Sequence, residues 1–314
     1  MPAFRLNRRA LLVTGAFSGL ALPTVARAQT TPWSREAFNA AMRASGRNGD
    51  VSAATFQAIQ QRKARALASI ESYLKARFQG EADPAVLRAF AEVPREYFHY
   101  NYDGGRASPG DAYEAEAKPW SVGFGSALSD YLGQAYMTQV CAPKPDHVVL
   151  EIGTGSGFQS ALLSRIVAKQ YSIEIIEPLG RGVSRIFEPL GYTNVQTRVG
   201  DGFFGWPEVE GGFDTIIVTC AAQYVPPAII QQLKPGGRLV IPIGQPFRRG
   251  QFLYVYTKEE DGRVRSRKDV GVYFIPMTGA MMNRPPPPGT PVAPAGEPVA
   301  PSPGHAPIPR RPAG

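Results

Sequence analysis

The apolar run Val148-Val149-Leu150 passes straight into Glu151-Ile152-Gly153-Thr154-Gly155-Ser156-Gly157, and a helix-forming stretch follows. Strand, glycine turn and helix in that order restrict the chain to an α/β layout in which backbone approaches a ligand at a strand's carboxyl end. The spacing is G-x-G-x-G, with Phe158 where a dinucleotide fingerprint places its third glycine. A bulky residue there fits one nucleoside with a sulfonium tail better than a pyrophosphate. Taken alone, the glycines are equally compatible with a tight strand–helix turn that holds nothing.

The surrounding pattern supports a parallel sheet. Short β-rich runs at 147–152, 171–176, 195–199, 213–219 and 238–243 alternate with helical stretches at 158–167, 179–190 and 226–233. Two further runs, 252–258 and 270–276, flank a turn at Asp261-Gly262 and read as a terminal antiparallel pair. Upstream, Ser34–Ala44 is a short helical candidate. Leu67, Ile70, Leu74 and Phe78 mark a stronger helix stopped by Gly80, and Asp83-Pro84 opens another that ends at Pro94.

Two acids stand where a nucleoside needs acceptors. Glu174 lies 17 residues beyond Gly157 at the end of the second strand, placed to take both ribose hydroxyls. Gly200-Asp201-Gly202 follows the third strand, with Asp201 facing an adenine amino group. Either acid alone is as readily a solvated strand-end or turn residue. In this order, with Lys234-Pro235-Gly236-Gly237 leading into the fifth strand, the set resembles class I S-adenosylmethionine-dependent methyltransferases. The resemblance implies a Rossmann-like seven-stranded sheet, mostly parallel with an antiparallel C-terminal pair, preceded by helices.

It narrows further. Ala82-Asp83-Pro84-Ala85-Val86-Leu87, Val93-Pro94-Arg95-Glu96-Tyr97-Phe98, Tyr171 to Leu179, Arg198 to Gly202, Phe213 to Thr219 and Ile275-Pro276-Met277-Thr278 are similar to protein-L-isoaspartate O-methyltransferases. The similarity runs from about 62 to 280. It implies methyl transfer from S-adenosylmethionine to the misplaced carboxylate of an L-isoaspartyl residue in a damaged protein, followed by collapse of the ester to a succinimide. A carboxylate is already a nucleophile, so positioning and exclusion of water suffice and no acid–base dyad is required. The cofactor residues implied are Ser126, Glu151, Gly153, Thr154, Gly155, Gly157, Glu174, Asp201, Gly202 and Thr278.

The family's substrate segment reads roughly Gly-x-Gly-Gln-Thr-Ile-Ser-Gln-Pro. Here it is Gly123-Phe124-Gly125-Ser126-Ala127-Leu128-Ser129-Asp130-Tyr131. The glycines and Ser129 align, which implies Ser129 as the active-site serine; as a plain alternative Ser129 is a helix N-cap. Asp130 departs most, because a negative charge opposes a carboxylate acceptor. Gln223-Tyr224, just before Pro226-Pro227, departs as well. These changes leave open a methyltransferase with another acceptor, or an exported cofactor-binding module without catalysis.

The first 28 residues read as an export signal. Arg5, Arg8 and Arg9 precede an apolar run from Ala10 to Leu22, and Ala26-Arg27-Ala28 is a cleavage site. Asn7-Arg8-Arg9-Ala10-Leu11-Leu12 is similar to a twin-arginine signal, with an ordinary secretory signal as the alternative, and the run is too short to cross a bilayer. The expected location is periplasmic or secreted, and the protein a monomer. Removing the four signal arginines lowers Lys plus Arg from 34 to 30 against 26 acids, a net charge of +4, which argues against nucleic-acid binding. The three His and two Cys show no metal-ligand spacing. Cys141 and Cys220 belong to opposite edges of the sheet, too far apart for a disulfide, and both are expected to be buried free thiols. The expected organisation is a signal at 1–28, helices at 29–120, the methyltransferase domain at 121–282 and an unfolded Pro-rich tail at 283–314.

Overall fold

The computed structural model describes residues 33–292 and 294. Residues 1–28, read above as an export signal, lie outside the described residues, as does most of the Pro-rich tail.

Four helices come first. Helix α1 (Arg35–Ala44) is capped by Ser34, whose Oγ accepts the Ala37 N–H at 3.1 Å. Helix α2 (Ala53–Arg77) is capped by Ser52 in the same way, and Gly80 past its end takes φ +94°. Asp83 Oδ1 accepts the Ala85 N–H at 2.7 Å and starts α3 (Pro84–Glu92). Each cap satisfies an amide that a helix start leaves without a partner. Helix α4 (Arg95–Phe98) follows, then two small hairpins: β1 (Tyr100–Asn101) with β2 (Arg106–Ala107), and β3 (Trp120–Gly123) with β4 (Ser126–Leu128). Helix α5 (Tyr131–Cys141) leads into the sheet.

In chain order the remaining elements are β5 (Val148–Ile152), α6 (Phe158–Ser164), β6 (Lys169–Glu174), α7 (Glu177–Ser184), β7 (Val195–Val199), β8 (Phe213–Val218), α8 (Pro227–Gln231), β9 (Leu233–Ile243), β10 (Gln251–Lys258), β11 (Val264–Val272) and α9 (Ala280–Asn283). The seven-stranded sheet has the order β11-β10-β9-β8-β5-β6-β7. Strands β7, β6, β5, β8 and β9 run parallel; β10 and β11 are antiparallel additions at one edge. The chain leaves β5 toward β6 and returns to it as β8, so a crevice opens at the carboxyl ends of these strands, where open α/β sheets bind ligands.

Alternation along the strands divides the core. Val149, Ile217 and Val240 face one cluster, while Leu150, Ile152, Ile216 and Ile241 face the other. The first cluster also takes in Phe38 and Met42 of α1, Ile70 and Leu74 of α2, and Val86 and Phe90 of α3. The N-terminal helices therefore share a core with the sheet rather than forming one of their own.

Several boundaries moved, for local reasons. The second strand ends at Glu174 instead of Ile176, because Glu174 Oε1 accepts the Ile176 N–H at 3.0 Å and turns the chain. The last strand occupies Val264–Val272, not 270–276, since the turn closed by Glu259 N–H to Arg263 O (2.7 Å) starts pairing at once. Its charged residues suit an exposed edge strand. Cys141 is buried as expected, but Cys220, just beyond β8, is partly exposed. Burial raises both thiols, Cys141 to about 12. Among the described residues no helix is long and apolar enough to cross a membrane.

Candidate functional site

The crevice is floored by the glycine loop. Gly153 (φ +101°) gives its N–H to Ile173 O at 2.9 Å and receives the Thr219 hydroxyl on its carbonyl at 2.6 Å. A Cβ at Gly153 would stand 2.5 Å from Thr219 Oγ1, so only glycine fits there. Gly157 (φ +85°) sits at the N-cap of α6, where a Cβ would press on Val183 at 2.9 Å. Phe158 turns away from the crevice. It is fully buried and packs edge-on against Phe90 and Phe98 at centroid distances of 5.8 and 5.3 Å. Its bulk therefore ties the loop to the N-terminal helices and does not shape the ligand space, which corrects the reading of residue 158 as a selector against pyrophosphate.

Glu174 is buried and Gly155 donates its N–H to Oε2 at 2.8 Å. Burial raises its carboxyl above the ordinary range, and the N–H groups of Gly155 and Ile176 work against that shift. Backbone N–H groups take part of its acceptor capacity, and the remaining lone pairs of a carboxylate suit a diol. At the end of β7, Asp201 Oδ1 accepts the Phe203 N–H at 2.9 Å, and Oδ2 accepts the Ala280 N–H at 2.7 Å. Asp201 thus also anchors the 277–284 segment, a role its sequence position did not announce. Gly279 lies against it so closely that a Cβ would overlap Oδ2. Thr278, partly exposed, precedes this contact, and the chain reaches it through a bridge pairing Ala221 with Pro276. Tyr224 is part of the same arrangement: its hydroxyl donates to Arg284 O at 3.0 Å.

Two of the expected cofactor residues also make structural contacts. Gly202 packs where a Cβ would overlap Ile152, so its role is close approach of β7's end to β5. Glu151 is fully buried. Its Oε2 accepts from the Ser160 hydroxyl and, at 2.9 Å, from Ser172, whose Oγ meets Thr154 Oγ1 at 2.7 Å. Desolvation raises the Glu151 carboxyl to about 8, and the two serine hydroxyls oppose that shift. Through Ser172 and Thr154 the Glu151 carboxyl supports the loop, and its Oε1 has no hydrogen-bond partner.

The β3–β4 hairpin approaches the glycine loop. Its two-residue turn, Phe124-Gly125, has φ of +53° and +75°, the double left-handed geometry that matches strand twist. This brings Ser126 to the loop: a Cβ on Gly155 would lie 3.6 Å from Ser126 Oγ and 3.8 Å from Ala127 O. Ser129 follows, half-buried, with its carbonyl accepting from Arg95 Nη2 at 2.8 Å. The helix cap is Asp130, not Ser129; Asp130 Oδ1 accepts the Gly133 N–H at 2.7 Å. The Asp130 charge is thereby turned toward a helix start and the Arg95 guanidinium, which removes much of the objection to it.

Arg95 escaped sequence reasoning, as did Ser172 and Thr219. Fully buried, Arg95 also donates to Ala112 O at 3.0 Å and Gln134 Oε1 at 2.5 Å. Desolvation lowers it to about 10, so it remains charged at neutral pH. The signal available was its place in Val93-Pro94-Arg95-Glu96-Tyr97-Phe98.

The donor and acceptor set can be tested against S-adenosylmethionine. Two carboxylates at adjacent strand ends suit ribose hydroxyls, an adenine amine and a cationic sulfonium, and they oppose a pyrophosphate. The residues present fit. Among the described residues no group of His, Cys, Asp and Glu is arranged to hold a metal ion.

The family model described as protein-L-isoaspartate(D-aspartate) O-methyltransferase matches residues 70–282. A protein-L-isoaspartate O-methyltransferase 1 of Nitrosospira multiformis is 49% identical over 161 residues, covering 51% of this chain and 67% of the relative. A protein-L-isoaspartate O-methyltransferase 2 of Syntrophobacter fumaroxidans is 43% identical over 197 residues, covering 63% and 76%. A solved protein-L-isoaspartate O-methyltransferase superposes with a TM-score of 0.60 at 26% identity, covering 70% of this chain and 67% of that one.

Proposed function

Since the chain belongs to the protein-L-isoaspartate(D-aspartate) O-methyltransferase family, we propose that its crevice methylates the misplaced carboxylate of isoaspartyl residues, with Ser129 at the acceptor and Glu174 and Asp201 at the cofactor. The chain is an S-adenosylmethionine-dependent methyltransferase. The observation that carries the assignment of roles is the close approach of Ser126 and Ala127, just ahead of Ser129, to Gly155 of the loop.

When bound, S-adenosylmethionine supplies an electrophilic methyl carbon on a sulfonium. Glu174 takes the ribose hydroxyls and Asp201 the adenine amine, which fixes the donor's depth in the crevice. The glycines at 153 and 155 let backbone stand against the ligand, and Ser126 and Ala127 shut out water. Arg95 holds the Ser129 carbonyl, so the Ser129 hydroxyl orients the acceptor carboxylate in line. An ionised carboxylate needs no base, and alignment in a dry site is worth several kcal/mol, up to about 10.

Titration of the full chain with S-adenosylhomocysteine tests the cofactor roles. Glu174→Gln and Asp201→Ala are each expected to weaken binding at least tenfold. Unchanged affinity in both would remove them from the site. Export belongs to the same proposal, supported by the pattern of residues 1–28; a mature N-terminus at Gln29, read by mass spectrometry of protein from the expressing cell, checks it. A monomer is proposed with it.

A further inference from the structure

Gln223 and Tyr224 depart from the family pattern, and both side chains reach the C-terminal segment that is bonded to Asp201. Tyr224 is buried, and its hydroxyl donates to Arg284 O at 3.0 Å. Gln223 Nε2 donates to Met282 Sδ at 3.8 Å. The backbone under these two residues is stiff. Ala221 gives its N–H to Ile275 O and receives that of Met277, each at 2.8 Å, and the Ala222 N–H meets Pro242 O at 2.9 Å. Pro226 and Pro227 follow, each with a fixed φ.

From this base Tyr224 touches both segments that hold Asp201. One is the turn after β7. The Tyr224 ring lies edge-on to that of Phe203, with centroids 6.3 Å apart, and Asp201 Oδ1 accepts the Phe203 N–H at 2.9 Å. The other is α9. The Tyr224 hydroxyl holds the carbonyl of Arg284, whose N–H bonds Ala280 O at 2.9 Å, and Asp201 Oδ2 accepts the Ala280 N–H at 2.7 Å. On the exposed side the Arg284 guanidinium stands over the Phe204 ring at 5.2 Å, and Phe204 is edge-on to Phe203 at 5.3 Å, which completes a circuit of contacts. The Asp201 carboxylate is thus gripped at both oxygens, and its direction depends on how residues 202–204 and 280–284 stand to each other. Each oxygen keeps a further lone pair. A hydrogen bond from a ligand amine weakens steeply off line, so a carboxylate aimed in advance binds better than one that must be ordered on binding.

We propose that Tyr224 is a positioning residue for the cofactor: by tying residues 280–284 to the turn at 202–204, it fixes the Asp201 carboxylate in the direction that receives the adenine amine. It touches no reacting atom, and Arg284 assists it from the exposed side. The inference rests on the assignment of Asp201 to adenine and adds the residues that aim it.

Calorimetric titration with S-adenosylhomocysteine, and steady-state kinetics with the two substrates varied separately, test it in the full chain. Tyr224→Phe keeps the ring and removes only the hydroxyl. It is expected to raise the S-adenosylhomocysteine Kd and the S-adenosylmethionine KM about fivefold, as for the loss of one buried hydrogen bond. The KM for an isoaspartyl peptide, and kcat at saturating cofactor, should not move. Arg284→Met should show a smaller loss of the same kind, and it carries the test should the tyrosine variant fail to fold. In an Asp201→Ala background, Tyr224→Phe should add nothing to the Kd, because the group it aims is gone. Cofactor affinity unchanged in the folded variants, or additive losses in the double variant, would overturn the positioning role and leave Tyr224 a structural brace. Unchanged affinity in Asp201→Ala alone would instead overturn the adenine assignment, and this inference with it.

Discussion

Glu151 shows how a conspicuous residue can act at one remove. Its carboxyl, raised from 4.5 to about 8 by burial, is favoured in its protonated form by the fold. The sign of the linkage follows: this contribution to stability is complete below about 4.5 and is lost as pH climbs through about 8. Unfolding curves taken between pH 5 and 8.5 should show the protein losing stability with rising pH, and Glu151→Gln should flatten that decline. Parallel curves for the two proteins would mean that Glu151 does not titrate in this range. Asp201 also acts twice. Asp201→Ala should weaken cofactor binding and speed hydrogen exchange at residues 279–284, because the Ala280 N–H loses its partner. Exchange unchanged there would deny the anchoring role.

The β3–β4 hairpin and the start of α5 form the element to which we assign the acceptor chemistry. Asp130→Ala removes the cap on Gly133 and should cost about 1 kcal/mol, within a usual range of roughly 0.5–2. For a domain of this size that is a fall of about 2–4 °C in Tm by calorimetry. Asp130→Asn, which keeps an acceptor, should lose less; an equal loss would point to the charge instead of the cap. What was legible in sequence follows the range of each interaction. Gly153 and Gly157 were visible because a left-handed turn is a local demand. So was the cap at Asp83, two residues from the amide it serves. Arg95 was not legible as a site residue: its partners Ala112, Ser129 and Gln134 lie 17, 34 and 39 positions away. The partners of Glu151 were not legible for a related reason, since sequence order does not place Ser160 and Ser172 against it.

At the scale of the molecule, one hydrophobic cluster runs from Phe38 of α1 to Val255 of β10, and Phe158 joins it to the cofactor loop. Loss of that ring should be felt at both ends. Phe158→Ala is expected to destabilise the protein by about 3–5 kcal/mol in denaturant titration and to weaken S-adenosylhomocysteine binding in what remains folded. A variant that unfolds earlier yet binds normally would show the N-terminal helices to be a support without influence on the crevice. The fold, the carboxylates at the strand ends and the seating of Ser126 on Gly155 all converge on methylation of a misplaced carboxylate. The direct test is transfer of labelled methyl from S-adenosylmethionine, by the full chain, to an isoaspartyl peptide and to the same peptide with ordinary aspartate. Label on the isoaspartyl peptide alone is the result expected; equal labelling of the two, or none on either by protein that binds the cofactor, would contradict it.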